Sequence, residues 1–386
     1  MFDIGNTSVG GAVVRLGESG HAPQILHALR LEMSMIENPV PERLLRETSS
    51  ALLEVAEKLS RLNSEKITGI HTLLASPWYA SETRVLKIEN KKPFVCDESL
   101  VQGAISKEIT AVKKVIASRQ SESEKEIEAI ESRIIQMKCN GYEARHSLGK
   151  TINEAEIYLY IGVAPTVVLR KFSEAILRSF KNISVQYHSF PLAYYSVIRD
   201  SFPSKTDYLL IDVSGEVTDI TMVRKGALLE TVSFPQGRNF IFRKLGEVFR
   251  QSPESVRSLL SPTYRRNAND ASSTKLKQTL QEAKKEWLNS LRGALTKLSR
   301  ELYIPEEVFL TIDHDVAKII SSWVLDDSLT SLVLTHKKLT IIPTDYHNVV
   351  NLEAHKDKAI YDDHFLSIGS LFAQKIIGSK TLEGVQ

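Results

Sequence analysis

The sequence predicts a two-lobed α/β protein with a cleft between the lobes and a small α+β unit inserted in the first lobe. One loop pattern occurs twice, about half the chain apart, at Asp3–Gly10 and at Asp212–Ile220. Each copy has an Asp at a strand end, then small and hydroxyl residues, then another strand. In both halves, apolar runs of strand length alternate with amphipathic stretches of helix length. Two equivalent halves of this kind indicate a duplicated fold with a cleft between them.

The first lobe begins with strands joined by turns, including a hairpin-like turn at Gly17–Gly20. A helix is predicted over 41–62, because Pro41 suits the first turn of a helix and one apolar stripe follows it. Glu156–Val163 has the composition of a strand, and a helix is predicted after Pro165. We expect these elements to pack as one α/β layer structure.

Residues 67–157 look like a separate small unit. Strands are predicted at Ile70–Ala75 and at about 130–140, and Asp97 is placed to cap a helix between them. Asn140-Gly141-Tyr142 is a turn signal between strand-like segments. Short strands around one capped helix predict a compact α+β lobe inserted in the first half.

The second half repeats the alternation of strands and helices. Tyr208–Asp212 is an apolar run that ends in a carboxylate, and a helix is predicted from Gly237 to Phe249. A long amphipathic helix is predicted over 275–302, facing the core rather than a coiled-coil partner. The last predicted helix is about Phe365–Ile377. The predicted units are therefore 1–66 with 158–205 (first lobe), 67–157 (inserted unit), 206–240 with 303–386 (second lobe) and 241–302 (a helical subdomain of the second lobe).

Composition excludes several classes of protein. The net charge of +2 gives no electrostatic reason to expect nucleic acid as a partner. The two cysteines, Cys96 and Cys139, cannot form a disulfide framework or a metal motif, which fits a reducing compartment. No apolar run is long enough to span a membrane, and no signal peptide pattern is present. We therefore expect a cytoplasmic protein.

The two loops have the residue types that bind a nucleotide's phosphates and a hydrated Mg²⁺. Small residues allow backbone N–H groups to approach a phosphate, and the hydroxyls of Thr7, Ser8 and Thr218 can add donors. Two carboxylates facing each other across the cleft can hold Mg²⁺, directly or through water. A plain hairpin explains either loop alone, so the pairing carries the prediction. The candidate nucleotide-binding residues of the two loops are Asp3, Gly5, Asn6, Thr7, Ser8, Asp212, Ser214, Gly215, Glu216 and Thr218, with Asp3 and Asp212 also as Mg²⁺ ligands.

These motifs resemble those of FtsA, the actin-like bacterial cell-division protein, and of its relative PilM from type IV pilus assembly. The resemblance covers nearly the whole chain in order, and it implies the actin-like ATPase fold with an inserted SHS2 (1C) subdomain. The segments that carry it are Asp3–Ser8 (phosphate-1), Asn140–Lys150 (the end of the SHS2 subdomain), Ser189–Ala193 (the first inter-lobe helix), Asp212–Ile220 (phosphate-2), Phe234–Phe240 (after the second hairpin) and Phe365–Gln374 (the second inter-lobe helix). Through Phe234–Phe240 the resemblance adds Gly237 and Asn239 to the candidate nucleotide-binding residues.

The resemblance implies a scaffold rather than an enzyme of metabolism. The leading interpretation is an FtsA-like scaffold in division or envelope assembly, with a tubulin-like partner and possible self-association. The alternative is a PilM-like protein whose small domain or interdomain groove docks a cytoplasmic peptide of a membrane partner. A small-molecule kinase of the same fold is a lesser alternative, since the sequence offers no candidate base beyond the two aspartates.

Two departures from the family pattern qualify these expectations. Near residue 310 the family has a Gly-rich turn against adenosine, but this chain has Ile312 and Asp313 there, whose side chains would crowd a base or sugar. The resemblance implies ATP or ADP with Mg²⁺ as the cofactor, and the crowding leaves three alternatives: weak binding, a different mode of binding, or no binding. We expect weak hydrolysis at most and assign no catalytic residue. The tail, 376–386, has two glycines and one basic residue and makes a poor interfacial helix, so we expect membrane contact to be indirect, at the inner face of the membrane.

Overall fold

A computed structural model describes the chain except for 18–21, 37–39, 64, 121–122, 144–148, 261–269, 300–302, 344–362 and 384–386. The predicted Gly17–Gly20 turn, the middle of the Asn140–Lys150 segment and the end of the tail therefore lie outside the described residues. The strands are β1 (Phe2–Ile4), β2 (Ser8–Arg15), β3 (Gln24–Glu32), β4 (Ile70–Leu74), β5 (Ala80–Val95), β6 (Ile127–Cys139), β7 (Tyr142–Glu143), β8 (Thr151–Pro165), β9 (Val185–Ser189), β10 (Tyr208–Val213), β11 (Thr218–Arg224), β12 (Ala227–Phe234), β13 (Glu307–Ile312) and β14 (Thr340–Ile341). The α-helices are α1 (Pro41–Leu62), α2 (Glu98–Gln120), α3 (Thr166–Leu177), α4 (Phe190–Ser201), α5 (Arg238–Phe249), α6 (Pro253–Val256), α7 (Asp270–Leu298), α8 (His314–Val324) and α9 (His364–Glu383).

Each lobe is built on a five-stranded sheet, and the two sheets have the same topology. The first has the order β3-β2-β1-β4-β9 and the second β12-β11-β10-β13-β14. In each sheet the first three strands in sequence form an antiparallel meander, and the fourth strand adds to the first in parallel. The repeat predicted from the loops is therefore a repeat of the whole sheet. Asp3 in β1 and Asp212 in β10 occupy equivalent strands.

Helices α4 and α9 lie between the two sheets and join the lobes through one apolar cluster. Tyr194 on α4 and Phe372 on α9 pack with Leu73 of the first sheet and with Tyr208 and Phe309 of the second. Their apolar surfaces are buried from both sides, which is why α4 has an almost entirely buried sequence. The lobes are therefore joined by a packed core at the base of the cleft.

The inserted unit has its own sheet, of order β5-β8-β6-β7, with α2 packed on one face. Its sheet starts later than predicted, because β4 pairs in parallel with β1 and β9 and belongs to the first lobe. Conversely, β8 continues to Pro165 and pairs with β5 and β6 throughout, so 158–165 belongs to the inserted sheet. A short, fully buried apolar run such as β4 fits any sheet, so the sequence pattern could not assign it.

The helical part of the second lobe packs α7 against the sheet. Trp287 on α7 is fully buried against Phe234 and Trp323. The helix begins at Asp270, earlier than the predicted residue 275, and α9 extends beyond the predicted Ile377. Among the described residues, no helix has both the length and the apolar composition that crossing a bilayer requires.

Candidate functional site

Two tight turns face each other across the cleft and are bonded in the same way. In loop 1 (Gly5–Ser8), the N–H of Gly5 donates to the carbonyl of Ser8 at 3.0 Å. In loop 2 (Ser214–Val217), the N–H of Ser214 donates to the carbonyl of Val217 at 3.1 Å. The matching bonds follow from the matching sheets, since each loop joins the first two strands of its meander. The structure thus brings the two predicted phosphate loops together.

Asn6 of loop 1 bridges the two lobes with its side-chain amide. Its Nδ2 donates to the carbonyl of Ser76 at 2.7 Å and to Oγ of Ser214 at 3.0 Å, and its Oδ1 accepts the N–H of Glu216 at 3.0 Å. The side chain is 1% exposed. Ser76, which follows β4, also donates from Oγ to Asp219 of the second lobe at 2.9 Å. Buried hydrogen bonds therefore connect the loops directly.

The loops also touch through Thr7 and Gly215. A Cβ at position 215 would lie 2.0 Å from Cγ2 of Thr7, so only glycine allows this approach. Loop 1 is held in place from its own lobe, because the carbonyl of Thr7 accepts the N–H of Met33 at 2.8 Å. A phosphate group between the two loops would have to displace the contacts of both Asn6 and Thr7.

The N-terminus of α5 is occupied by loop 2. The N–H groups of Arg238 and Asn239 each donate at 2.8 Å, to the carbonyls of Ser214 and Gly215. A helix N-terminus is a common anion site because its first N–H groups lack partners within the helix. Here carbonyl oxygens of the chain itself accept these donors, and a Cβ at Gly237 would lie 2.3 Å from the carbonyl of Ser214.

The carboxylate of Glu216 bonds to side chains of the second lobe. Its carboxylate accepts Nδ2 of Asn239 at 2.8 Å and pairs with Arg243 at 2.6 Å. The hydroxyl of Thr218 donates to the carbonyl of Gln236 at 2.8 Å, and that of Ser214 donates to Val217. The hydroxyl of Thr218, which was predicted to donate to a phosphate, is therefore bonded to the chain's own backbone, as is that of Ser214.

Asp3 is buried beside an arginine that the sequence did not indicate. Nη2 of Arg30 lies 2.8 Å from Oδ2 of Asp3, and Nη1 donates to Oγ of Ser8 at 2.9 Å. Burial raises the pKa of Asp3, and the guanidinium opposes that shift. The same arginine pairs with Asp363, just before α9, at 2.7 Å.

Among the described residues, Asp212 lacks an ion pair of the kind that Asp3 makes with Arg30. It is 4% exposed, and neither carboxylate oxygen has a hydrogen-bond partner among the described residues. Burial raises its pKa well above the usual value, and the negative charges of Asp219, Asp3 and Asp313 raise it further. An unpartnered buried carboxylate is costly unless it is protonated or meets a cation.

The adenosine side of the predicted site contains a salt bridge. Asp313 precedes α8 and lies 2.8 Å from Nη1 of Arg238, which is 6% exposed. The carboxylate of Asp313 is therefore paired, while Ile312 packs against the second-lobe core. Arg238 also approaches Asp315 at 3.6 Å.

In this arrangement the residues do not fit a Mg²⁺-bound nucleotide. Asp3 is paired with Arg30, the loops contact each other, and the first N–H groups of α5 are bonded to loop 2. Within the described residues, no group of three or more acidic, histidine or cysteine side chains is arranged to hold a metal ion. All twelve predicted residues lie in or beside the two loops, but most of their polar groups are bonded to one another. Sequence reasoning missed Arg30, Ser76, Arg238 and Arg243, whose roles depend on strand register and on contacts between distant segments.

Replacing Asn6 with alanine is expected to lower the free energy of unfolding. The change removes three bonds and leaves the buried N–H of Glu216 without a partner, a loss of about 1–3 kcal/mol for each unsatisfied group. Chemical denaturation measures the difference. Asn63→Ala is the matched control, because that amide also bonds to backbone but at an exposed turn. Equal losses in the two variants would show that Asn6 does not hold the loops together.

Replacing Asp212 with asparagine is expected to change the pH dependence of stability. The pKa is raised in the folded protein above an unfolded value of about 3.9, so the folded state binds the proton more tightly. The contribution of this group to the free energy of unfolding is therefore fully present below pH ~4, and it is lost as the pH rises through the pKa of the folded state. Denaturation curves across pH should show a flatter profile for Asp212→Asn. Asp327→Asn, at an exposed site, should keep the parent slope, and a parent slope in both variants would contradict the assignment.

No protein-family model matches the chain, and no curated protein matches its sequence. Solved structures do match its fold. A chain of a PilM–PilN type IV pilus biogenesis complex matches with a TM-score of 0.60 at 15% identity, over 97% of each chain.

Weaker structural matches have TM-scores of 0.42. They include the ethanolamine utilization protein EutJ from Carboxydothermus hydrogenoformans, at 9% identity over 96% of this chain and 88% of that chain. A Bacteroides thetaiotaomicron protein described as having an actin-like ATPase fold matches at 11% identity, over 88% of this chain and 89% of that chain. From its two repeated sheets and its whole-length structural match, the chain has the actin-like ATPase fold, with two lobes around a cleft.

Proposed function

We propose that the protein is a non-catalytic scaffold of the PilM type, which docks an extended cytoplasmic peptide of a membrane assembly protein. The observation that carries the proposal is a groove of about 370 Å³ between the first lobe and the inserted unit. Its walls are β9 of the first lobe and β6 of the inserted unit, and Leu169 of α3 contributes to its lining. The volume lies in the range of ligand-binding clefts.

Both walls of this groove are strand edges that can accept another strand. β9 is the last strand of its sheet and pairs with β4 on its other side. β6 pairs with β8 along its length, and on the opposite edge the described part of β7 pairs only with Lys138 and Cys139. A free strand edge presents unpaired N–H and C=O groups, and an extended peptide can satisfy them by β-addition.

Side chains along the groove provide apolar contact and charge. Ala129, Ile130 and Tyr187 line it together with Glu128 and Arg133. Alternate side chains of an added strand point to opposite faces, so a peptide there would bury every second residue. Backbone pairing would supply affinity, and the lining side chains would supply selectivity.

A buried carboxylate fixes the two walls relative to each other. Glu131 of β6 accepts the N–H of Ser189 of β9 at 2.9 Å and also accepts its hydroxyl. His188 lies 3.4 Å from the same carboxylate, and its other ring nitrogen lies 3.1 Å from Nδ1 of His71. The groove therefore has a rigid floor that joins the inserted unit to the first-lobe sheet. Because the groove is already formed, the conformational entropy lost on binding is that of the peptide.

The match to a PilM–PilN complex supports a partner of this type. The partner would be a membrane assembly protein, and its own anchor would bring this chain to the inner face of the membrane. Proteins of the actin-like ATPase fold generally bind nucleotide with Mg²⁺. The cleft contacts of this chain do not fit that ligand, so the proposed activity uses no nucleotide step.

An FtsA-like division scaffold that binds a tubulin-like protein is the second candidate. The separate four-stranded unit inserted in the first lobe favours it, because such a unit can also serve self-association or a division partner. A small-molecule kinase would need an open cleft, and the direct contact between Thr7 and Gly215 disfavours it. The partner found at the groove distinguishes the two scaffold roles.

Photo-crosslinking from the groove tests the proposal in the producing cells. A photoreactive residue in place of Gln186 should form an adduct with the cytoplasmic terminus of a membrane protein, identified by peptide mapping. Filling the groove with Ala129→Trp should reduce that adduct by about tenfold, equivalent to a loss of 1.4 kcal/mol of binding free energy. Crosslinking from exposed Glu42 on α1 is the control. An adduct with a tubulin-like protein, or one insensitive to Ala129→Trp, would count against peptide docking in this groove.

A further inference from the structure

We propose that the guanidinium of Arg30 takes the place of a bound cation in the cleft, so that the chain's own side chains close the two lobes without Mg²⁺ or nucleotide. This inference concerns the cleft and goes beyond peptide docking, which uses a different surface. It is carried by the strand register, by the partners of Arg30 and by the contacts between the loops.

The register of the first sheet aims Arg30 at Asp3. Asp3 of β1 pairs with Gly10 of β2, and Gly10 pairs with Arg30 of β3. Directly paired residues of adjacent antiparallel strands have side chains on the same face. Because Gly10 has no side chain, the arginine can cross over it to reach the aspartate. A Cβ at position 10 would lie 2.6 Å from Nη2 and 2.9 Å from Cζ of Arg30.

The guanidinium contacts several anionic and polar groups at once, as a bound metal cation would. It pairs with Asp3 at 2.8 Å and with Asp363 at 2.7 and 3.0 Å, and it donates to Ser8 at 2.9 Å. Phe365 covers it, with its ring centre 5.2 Å from Cζ. Asp3 and Ser8 are two of the residues that the sequence predicted for Mg²⁺ and phosphate. Arginine suits the exchange because its planar donors satisfy two carboxylates at once.

Asp363 extends the same contact to the helix between the lobes. Its Oδ1 also accepts the N–H of Leu366 at 3.0 Å, in the first turn of α9. One ion-paired cluster therefore links loop 1, the first sheet and α9. Arg30 is therefore held between the first sheet and the start of the helix that packs between the lobes.

The second lobe provides an internal comparison. Its equivalent row is Asp212 of β10, Asp219 of β11 and Ser233 of β12. Ser233 stands where the first lobe has Arg30, and the carboxylate oxygens of Asp212 have no hydrogen-bond partner among the described residues. An arginine therefore occupies this position in the first-lobe row, whereas a serine occupies it in the second-lobe row. The arginine pairs with Asp3, which occupies the strand position in the first sheet that Asp212 occupies in the second.

Binding of Mg²⁺ and nucleotide would require these contacts to break together. The cation would have to displace Arg30 from Asp3, and the phosphates would have to separate Thr7 from Gly215 and Asn6 from Glu216. Asp3, Asn6 and Glu216 are buried, and leaving a buried charge or polar group without its partner is strongly unfavourable. The closed cleft is therefore the state that the chain's own side chains stabilise.

The primary test uses the unmodified full-length protein. Titration with millimolar Mg·ATP, Mg·ADP and Mg²⁺ alone should produce no binding heat in calorimetry and no rise in melting temperature. A ligand that binds the folded state must raise the melting temperature by mass action. A Mg·ATP-dependent rise in the unmodified chain would overturn the proposal. Peptide crosslinking at Gln186 is independent of this result, so failure of either inference leaves the other standing.

Variants of Arg30 test its role as the cation. Arg30→Ala should lower the melting temperature by about 5–10 °C, because it leaves the buried carboxylate of Asp3 and the partly buried carboxylate of Asp363 without their cation. Added methylguanidinium should restore part of that loss, whereas exposed Arg46→Ala should cause little change. If Arg30→Ala does not fold, the neutral variant Arg30→Met with Asp3→Asn and Asp363→Asn should fold and melt closer to the parent protein. An Arg30→Ala protein as stable as the parent would contradict the proposal.

Discussion

Direct hydrogen bonding between the two hairpin loops is the constraint on which the rest of the cleft depends. Asn6 joins loop 1 to Ser214 and Glu216 of loop 2, and the side chain is almost completely buried. Once these bonds form, Gly215 must lie against Thr7, and α5 can place its first N–H groups on the carbonyls of loop 2. The lobes then meet at two levels, through the loops and through the apolar core of α4 and α9.

The fold has two different surfaces at which a ligand could bind, the cleft between the lobes and the groove between β6 and β9. Asn6 bonds the two loops across the cleft, and Arg30 and Arg238 form ion pairs with other residues of the chain beside it. The groove between β6 and β9 keeps free strand edges over a floor fixed by Glu131. A chain that stabilises its closed cleft internally does not need ligand turnover to hold its shape. This division suits a scaffold that presents a constant docking surface.

Local patterns allowed part of this to be predicted from sequence. The strand–turn–strand loops at Asp3 and Asp212, and α1 with its proline and apolar stripe, depend on neighbouring residues and were confirmed. The placement of β4 was wrong, because parallel pairing is decided by distant strands. Arg30 could not be identified, since its role needs the register of β2 with β3 and a contact with Asp363 at the other end of the chain. Contacts of this long-range kind decide which partners the side chains of the cleft bond to.

Hydrogen exchange at the backbone amide of Glu216 tests the closed cleft most directly. This N–H belongs to loop 2 and is donated to Oδ1 of Asn6 in the opposite lobe, so its protection reports the contact itself. The account predicts strong protection in protein free of nucleotide, unchanged when Mg·ATP is added. Rapid exchange without nucleotide, followed by protection with Mg·ATP, would contradict it and would show that a ligand, not Asn6 and Arg30, closes the lobes.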